Sequence, residues 1–270
     1  MVSRPSSTKS ASGEASVLKR VATILDLMTE EASSITVSDV EAALQVSPAT
    51  AYRYLSELCD AGLLHRVSGT YSPGPKVLEL EYLIRKFDPI LRVTGELMTE
   101  LSANTGCHVL LSRLYGQGLV NVFYAKAPAL PDIPFIPGRR LPFFRGSQSR
   151  AVLPWMDRRK LKRIYEMHPD DPWRNRIGET WEQFAAANTA VKRAGYYISR
   201  NELAEGATGI AAPVFDEANE PIGALTLTYS SSKPPWMGEE LLIGIVTKNA
   251  ELVSQRVAAH SAPPIGLHEV

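Results

Sequence analysis

The chain has 270 residues, of which 44% are hydrophobic and 21% charged, a composition that argues against extensive disorder. Its 29 basic and 29 acidic residues cancel, and up to residue 87 nine basic residues stand against ten acidic ones, so bulk charge does not favour a nucleic-acid-binding protein. No apolar run approaches the ~20 residues that cross a bilayer, and residues 1–16 lack the apolar stretch of a signal peptide. We therefore expect a cytoplasmic protein without a membrane partner.

The two cysteines, Cys59 and Cys107, have neither CxxC spacing nor a histidine cluster nearby. Their placement predicts no disulfide framework and no metal site. We expect both to be buried, reduced thiols.

The first 74 residues begin with a serine-rich stretch, residues 1–15, which predicts a mobile arm. From residue 17 to 28 apolar residues recur at spacings of three and four, which predicts a helix. A second, short amphipathic helix spans residues 37–44, with Thr36 or Ser38 as its N-cap. Ser47 followed by Pro48 predicts the start of a third helix, because serine caps free amides and proline fits the first helical position.

Two short apolar runs follow, residues 63–67 and 70–72, and Ser68-Gly69 between them is typical of a hairpin turn. Three helices and a hairpin predict a winged helix-turn-helix over residues 16–74. In this arrangement the third helix projects into a major groove while the hairpin lies against the DNA backbone.

Residues 75–88 predict a linking helix that ends at Asp88-Pro89. Leu78, Leu83 and Ile84 help make it too apolar to stand alone in solvent. We favour packing against a second copy of the chain, with docking on its own N-terminal domain as the alternative.

Residues 89–260 predict an α+β domain, and residues 261–270 a tail. Its helices are expected at 90–104, 147–155, 157–165, 181–194 and 238–259. Its strands are expected at 107–114, 119–126, 195–200, 210–215 and 222–229. The proline- and glycine-rich stretch 127–142 predicts a long loop.

Four segments in register carry a resemblance to a known family: SVLKRVATILDLM (16–28), ITVSDVEAALQVSPATAYRYLSELCDAGLL (35–64), GRRLP (138–142) and RAGYYISRNELAEGATGIAAPVFDE (193–217). From about residue 16 to 257 the chain resembles the IclR family of bacterial transcription regulators. The resemblance implies a C-terminal domain with a GAF-like fold, an antiparallel sheet flanked by helices, that binds a small metabolite.

The chain departs from the family's usual pattern in two places. Its third helix opens with Pro48, Ala49, Thr50, Tyr52 and Arg53, where the family usually has lysine, serine and threonine before its histidine and arginine. After GRRLP the family usually has a histidine, small residues and a Lys-Ala pair, whereas residues 143–151 here read FFRGSQSRA. Both the base preference and the ligand are expected to be atypical.

The expected DNA contacts lie on the polar face of the third helix and around it. Arginine grips guanine bidentately, and Thr50 or Tyr52 can reach a base edge or a phosphate, so with Arg53 they have the chemistry of groove readout; an ordinary solvated arginine is the alternative. Arg66 in the hairpin is expected to contact a phosphate. Lys19 and Arg20 contact phosphates or merely solubilise a helix end. The expected set of contacts is Lys19, Arg20, Ser47, Thr50, Tyr52, Arg53 and Arg66.

The expected effector contacts begin with Thr226 and Thr228, whose hydroxyls share one face of a strand that lines the ligand site in the family that the chain resembles. Arg200 is expected either to clamp a ligand carboxylate or to pair with Glu202. Amides at Ser147 and Gln148 face an anion or serve as caps. Phe143 is a ligand wall or a core residue. The expected set is Phe143, Ser147, Gln148, Arg200, Thr226 and Thr228, around a small organic carboxylate.

Together these features predict a ligand-responsive regulator that binds double-stranded DNA as a homodimer, or a dimer of dimers, on a palindromic operator. We expect it to control a catabolic or transport operon for a small organic acid. One alternative is a winged helix that binds protein. The other, an enzyme acting on a small acid, lacks support because the sequence holds no GxSxG, HExxH, paired-acid or phosphate-loop motif, and no cofactor is expected.

Overall fold

The computed structural model describes residues 16–29, 31–116, 118–128, 130 and 137–261, without the side chains of Pro89 and Ser261. The chain forms two compact units that divide between Arg85 and Lys86. The expected arm, the tail from residue 262 and residues 131–136 of the expected loop lie outside the described residues.

The first unit contains three helices, a hairpin and the start of a further helix. These elements are α1 (Val17–Asp26), α2 (Val37–Leu44), α3 (Pro48–Asp60), β1 (Leu64–Val67), β2 (Thr70–Pro73) and α4 (Pro75–Phe87). Thr36 caps α2 in a capping box with Asp39, and the Ser47 hydroxyl accepts a hydrogen bond from the Thr50 amide at the start of α3. Both caps follow the pattern read from the sequence.

The core of this unit forms where the three helices meet the hairpin. Its buried side chains are Ile24, Ile35, Val40, Ala51, Tyr54, Leu55, Leu58, Leu64 and Tyr71. The hairpin turns through Ser68 and Gly69, with φ of 51° and 89°, the left-handed geometry that two-residue hairpin loops favour. Backbone hydrogen bonds of 2.8 Å in both directions join Ile35 to Tyr71. The predicted winged helix-turn-helix is confirmed.

The second unit combines helices with a six-stranded sheet. Its helices are α5 (Pro89–Thr105), α6 (Ser147–Val152), α7 (Arg158–Met167), α8 (Pro172–Ile177), α9 (Trp181–Ala194) and α10 (Glu239–Ser261). Its strands are β3 (His108–Tyr115), β4 (Gly118–Ala125), β5 (Arg140–Leu141), β6 (Tyr197–Arg200), β7 (Ala207–Phe215) and β8 (Pro221–Ser230). Among the described helices, none has the length and hydropathy that a membrane span needs.

The sheet is antiparallel throughout, in the order β5-β4-β3-β8-β7-β6. On one face, Leu225 and Leu227 of β8 join the main hydrophobic core together with residues of α5 and α10. On the other face, Thr226 and Thr228 are buried on the side that α6 covers. The predicted α+β class, an antiparallel sheet flanked by helices, is confirmed.

The structure differs from the sequence prediction at several element boundaries. Strand β5 and helix α8 were not predicted, because two and six residues are too short for a periodic pattern. The helix expected over residues 147–155 ends at Val152 and continues as a 3₁₀ turn, Leu153–Trp155, at Pro154, which has no amide hydrogen to donate. Strand β6 begins at Tyr197 because Gly195, with φ of 78°, ends α9.

The two cysteines differ in their surroundings. Cys107 is fully buried, and burial raises the pKa of its thiol to about 11. Cys59 is half-buried, which corrects the expectation that both would be buried, and burial followed by the neighbouring charge of Asp60 raises its pKa. Both are free thiols. Within the described residues, no three His, Cys, Asp or Glu side chains lie close enough together to hold a metal ion.

Candidate functional site

The outer face of α3 is polar because the helix buries its opposite face. Ala51, Leu55 and Leu58 are in the core, whereas Tyr52 and Arg53 are exposed. Arg53 Nε lies 3.8 Å from Glu57 Oε1, one helical turn away, and both side chains are about two-thirds exposed. An exposed pair at this distance is weak, so the Arg53 guanidinium remains available to another partner.

A hydrogen bond joins the outer face of α3 to the hairpin. Arg66 Nη1 donates to Tyr52 Oη at 3.3 Å. The Arg66 guanidinium also lies 5.7 Å from the ring centroids of Tyr52 and Tyr71. Arg66 and Tyr52 are therefore part of one exposed cluster, with Arg53 next to Tyr52 on the same helix.

The other expected contacts of the first unit have individual roles in its structure. The Ser47 hydroxyl lies 3.0 Å from Thr50 Oγ1 and caps α3. Lys19 is exposed on α1. Arg20 Nη1 donates to the buried Tyr54 Oη at 2.8 Å, so part of its guanidinium is directed inward.

A small cavity lies in the second unit between α6 and strands β3, β6, β7 and β8. It is lined by Leu110, Ser147, Gln148, Ser199, Leu203, Ala204, Ala207, Gly209 and Thr228. The neighbouring Thr226 is fully buried, and its Oγ1 has no hydrogen-bond partner among the described residues. Polar groups that lack partners are costly to bury, and this one lies on the face of β8 that carries Thr228.

Residue 209 is glycine at the point where β7 lies beside the serines of α6 and β6. A Cβ atom at Gly209 would lie 2.6 Å from Ser147 Oγ and 3.1 Å from Ser199 Oγ. The next atom, Ser147 Cβ, would lie at 3.5 Å, so a side chain at this position would first displace the two serine hydroxyls. The glycine therefore leaves room for the polar side chains of α6 and β6 beside the cavity.

The cavity is small in this structure, at about 20 Å³. That volume suits about one water molecule and is far below the roughly 300 to 1,000 Å³ of typical ligand sites. Any organic ligand would require the walls to move. Leu203 and Ala204 belong to the loop between β6 and β7, the irregular segment that borders the cavity.

Of the six expected effector contacts, the structure brings Ser147, Gln148 and Thr228 together at the cavity, with Thr226 beside them. Phe143 packs in a separate aromatic cluster, with ring centroids 6.2 Å from Phe144 and 5.8 Å from His168. Of the two alternatives for Phe143, its position is that of a core residue and not of a ligand wall.

Arg200 also lies away from the cavity. Its Nη2 donates to both carboxylate oxygens of Glu239, at 2.8 and 2.5 Å, on the α10 side of the sheet. Side chains alternate along a strand, so Ser199 faces the cavity while Arg200 faces away from it. The structure pairs Arg200 with neither Glu202 nor the cavity.

Three residues were not predicted from the sequence: Ser199 and Leu203, which line the cavity, and Arg150 on α6, which is only 4% exposed. A signal for Arg150 was present, since Arg150-Ala151 occupies the place of the Lys-Ala pair that follows GRRLP in the family that the chain resembles. Ser199 and Leu203 carry no comparable pattern, because their role depends on how β6 and the following loop meet α6.

Two family models match the chain in the order of its two units. The model of the IclR helix-turn-helix domain matches residues 17–68, and that of the bacterial transcriptional regulator IclR C-terminal domain matches residues 84–255. The second match alone covers more than half of the chain. The chain belongs to the IclR family.

Individual members of the family agree in sequence and fold. The HTH-type transcriptional regulator KdgR of Escherichia coli K12 is 26% identical over 255 residues, which are 92% of this chain and 94% of that protein. An IclR transcriptional regulator from Alicyclobacillus acidocaldarius has a TM-score of 0.73 at 19% identity, covering 91% of this chain and 98% of the other. An IclR homologue from Microbacterium hydrocarbonoxydans, complexed with 4-hydroxybenzoate, has a TM-score of 0.69 at 21% identity, covering 90% and 100%.

The buried hydroxyl of Thr226 can be tested by a stability measurement that needs no ligand. Thr226→Val keeps the side-chain shape and removes the buried hydroxyl, so we expect the free energy of unfolding to rise by about 1 kcal/mol. Thermal unfolding monitored by circular dichroism measures the change.

Thr105→Val is the matched control. Thr105 is also buried, but its Oγ1 donates to Leu101 O at 2.7 Å and accepts from the Cys107 amide at 3.2 Å. The same substitution there should destabilise the protein by about 1 to 3 kcal/mol. Destabilisation by Thr226→Val of the same size would show that the Thr226 hydroxyl already has a partner.

Proposed function

We propose that this protein is a ligand-responsive transcription regulator that acts from the cytoplasm by binding, not by catalysis. As a dimer it binds a two-fold operator through α3, and a small organic carboxylate in the cavity of the second unit changes its affinity for DNA. The observation that carries the proposal is the match of both IclR family models, in order, over residues 17–68 and 84–255. Control of a catabolic or transport operon for such an acid follows from this ligand class.

The DNA interface is built around the exposed cluster of α3 and the hairpin. Arg53, with Thr50 and Tyr52, reads base edges in the major groove, because an exposed guanidinium can grip guanine bidentately. Arg66, held by Tyr52, contacts a phosphate. Lys19 and Arg20 contribute further phosphate contacts. Ser47 caps the start of α3 and contacts the DNA backbone there. These cations attract the phosphates locally, although the net charge of the chain is zero.

Replacing Arg53 with alanine tests this interface. We expect Arg53→Ala to lose about 1 to 3 kcal/mol of operator affinity, because it removes one bidentate contact to a base pair. A gel shift with the intergenic DNA beside the protein's own gene measures the affinity. Arg163→Ala, which removes an exposed arginine of α7 in the second unit, is the control and should bind as the wild type does. Unchanged operator binding by folded Arg53→Ala would remove this role.

The same gel shift separates the competing functions. A winged helix that binds protein would shift no DNA, specific or otherwise. Footprinting adds the symmetry of the site, since a two-fold dimer protects two half-sites about one helical turn apart or a multiple of it. Protection of a single half-site would contradict the dimer.

Helix α4 supplies the reason to propose a dimer. It has no buried residue, and its apolar side chains are 40% to 72% exposed. These residues are Val77, Leu78, Leu80, Tyr82, Leu83, Ile84 and, at 61%, Phe87. Apolar area of this kind is favourably removed from water by a second copy of the same helix.

We expect a dimer at micromolar concentration in analytical ultracentrifugation. Leu83→Glu should shift the equilibrium towards monomer, because it would bury a charge in the α4 interface. Leu241→Glu is the matched control, since Leu241 is also about half exposed but lies on α10. A wild-type protein that sediments only as monomer would overturn the dimer, and equal effects of the two substitutions would move the interface away from α4.

The cavity is proposed to bind a carboxylate because its polar groups suit one. Thr226 and Thr228 offer hydroxyls, and Ser147 and Gln148 offer further donors on the opposite wall. A buried carboxylate requires several such hydrogen bonds to offset its desolvation. The 4-hydroxybenzoate complex of the homologue from Microbacterium hydrocarbonoxydans supports this ligand class. By binding one conformation better than another, the ligand shifts the population that is competent to bind DNA.

A thermal-shift screen tests the ligand class. We expect benzoate, 4-hydroxybenzoate or pyruvate to raise the melting temperature, since a ligand at a hundredfold excess over Kd adds about 2.7 kcal/mol. Glucose and butylamine serve as the neutral and cationic comparisons. Stabilisation by either of these, with none by the acids, would contradict a carboxylate effector while leaving the DNA-binding function in place.

A further inference from the structure

A buried arginine flanks the proposed effector cavity. Arg150 lies on α6 three residues after Ser147, which places both on the same side of the helix, one turn apart. Its guanidinium lies 5.0 Å from the ring centroid of Tyr197. Tyr197 and Ser199 share a face of β6, because side chains alternate along a strand. Arg150 does not line the cavity itself, but it lies one helical turn beyond Ser147 and next to β6, two elements that do.

The Arg150 guanidinium is incompletely satisfied. It is 4% exposed, and its Nη1 donates to Asn188 Oδ1 at 3.4 Å, the long end of the hydrogen-bond range. Among the described residues its Nε has no hydrogen-bond partner, and no carboxylate oxygen lies within 4.0 Å of it. Burial lowers the pKa of this guanidinium, and a hydrogen bond with Tyr197 and the nearby charge of Glu202 only partly oppose that shift. A buried cation without a contacting anion is unfavourable, so this position suits a carboxylate.

The Glu202 carboxylate is close enough to affect the Arg150 guanidinium electrostatically, and it belongs to the loop that borders the cavity. Glu202 Oε1 accepts a hydrogen bond from Tyr197 Oη at 3.0 Å, and its Oε2 accepts one from the Gly146 amide at 2.6 Å. The next two residues, Leu203 and Ala204, line the cavity. Glu202 thus holds this segment against the residue that precedes α6.

We propose that Arg150 is the residue that binds the carboxylate of the effector, and that the effector displaces Glu202 from its bonds to Tyr197 and Gly146. This inference rests on the proposed function, because it assumes an effector with a carboxylate. Release of Glu202 frees Leu203 and Ala204 to move outward, which enlarges the cavity of about 20 Å³. The incoming carboxylate replaces the negative charge that Glu202 places near Arg150.

Arg200, on strand β6 next to the cavity, provides a matched comparison. Its side chain is 54% exposed and already paired with Glu239. An arginine in that state gains little from a second carboxylate. The contrast between a buried, incompletely bonded guanidinium and an exposed, paired one decides which of the two binds the effector.

Calorimetry on the full-length protein tests the inference with two acids and their amides, benzoate with benzamide and pyruvate with pyruvamide. Arg150→Gln should weaken binding of the acid about 30-fold or more and leave binding of the amide unchanged, because only the acid needs the cation. Arg200→Gln should change neither by more than about twofold. Glu202→Gln should strengthen binding of the acid more than that of the amide, since it removes the competing charge.

Three results would overturn the inference. The folded Arg150→Gln variant could bind the acid as tightly as the wild type does, or it could lose affinity for the acid and the amide equally. The third is a loss of affinity for the acid in Arg200→Gln but not in Arg150→Gln. If circular dichroism shows that Arg150→Gln does not fold, the Glu202→Gln arm decides, and acid binding that does not rise above that of the amide overturns it. A wild-type protein that binds neither acid contradicts the carboxylate effector itself, and this inference with it.

Discussion

The alternation of side chains along β8 is the constraint on which the second unit depends. Leu225 and Leu227 supply the core against α5 and α10, and Thr226 and Thr228 point to the face under α6. A shift of one residue in register would place hydroxyls in the core and leucines in the cavity. Because β8 lies between β3 and β7, its pairing on both sides fixes this register. Stability and a polar cavity therefore come from the same strand.

The cavity face accepts polar groups only because the opposite face supplies enough apolar burial. Thr226 Oγ1 and Arg150 Nε are buried without hydrogen-bond partners in the described part of the chain, and each omission costs stability. Such groups are rare in native proteins, and a ligand that provides the missing bonds would explain both of them. Gly209 leaves room beside the cavity for the hydroxyls of Ser147 and Ser199.

The sequence predicted the elements whose signals are local. The caps at Thr36 and Ser47, the Ser68-Gly69 turn and the alternating Thr226 and Thr228 all depend on a few neighbouring residues, and the structure agrees with each. The position of Arg200 could not be obtained in this way, because its partner Glu239 is 39 residues away on α10. Arg150 is likewise defined by Asn188 and Tyr197, which come from different elements.

The small size of the cavity bears on how strongly a ligand can act. In the mechanism proposed above, a ligand that fits only an enlarged cavity binds only the conformation in which the loop of Leu203 and Ala204 has moved. Its whole binding free energy, less the cost of opening, is then available to shift the population between the two states, whereas a ligand that fitted both states equally would shift nothing. For a given affinity of the ligand for the open conformation, a cavity that is mostly closed therefore gives a larger shift in population. The apparent affinity is weaker, because part of the binding free energy opens the cavity.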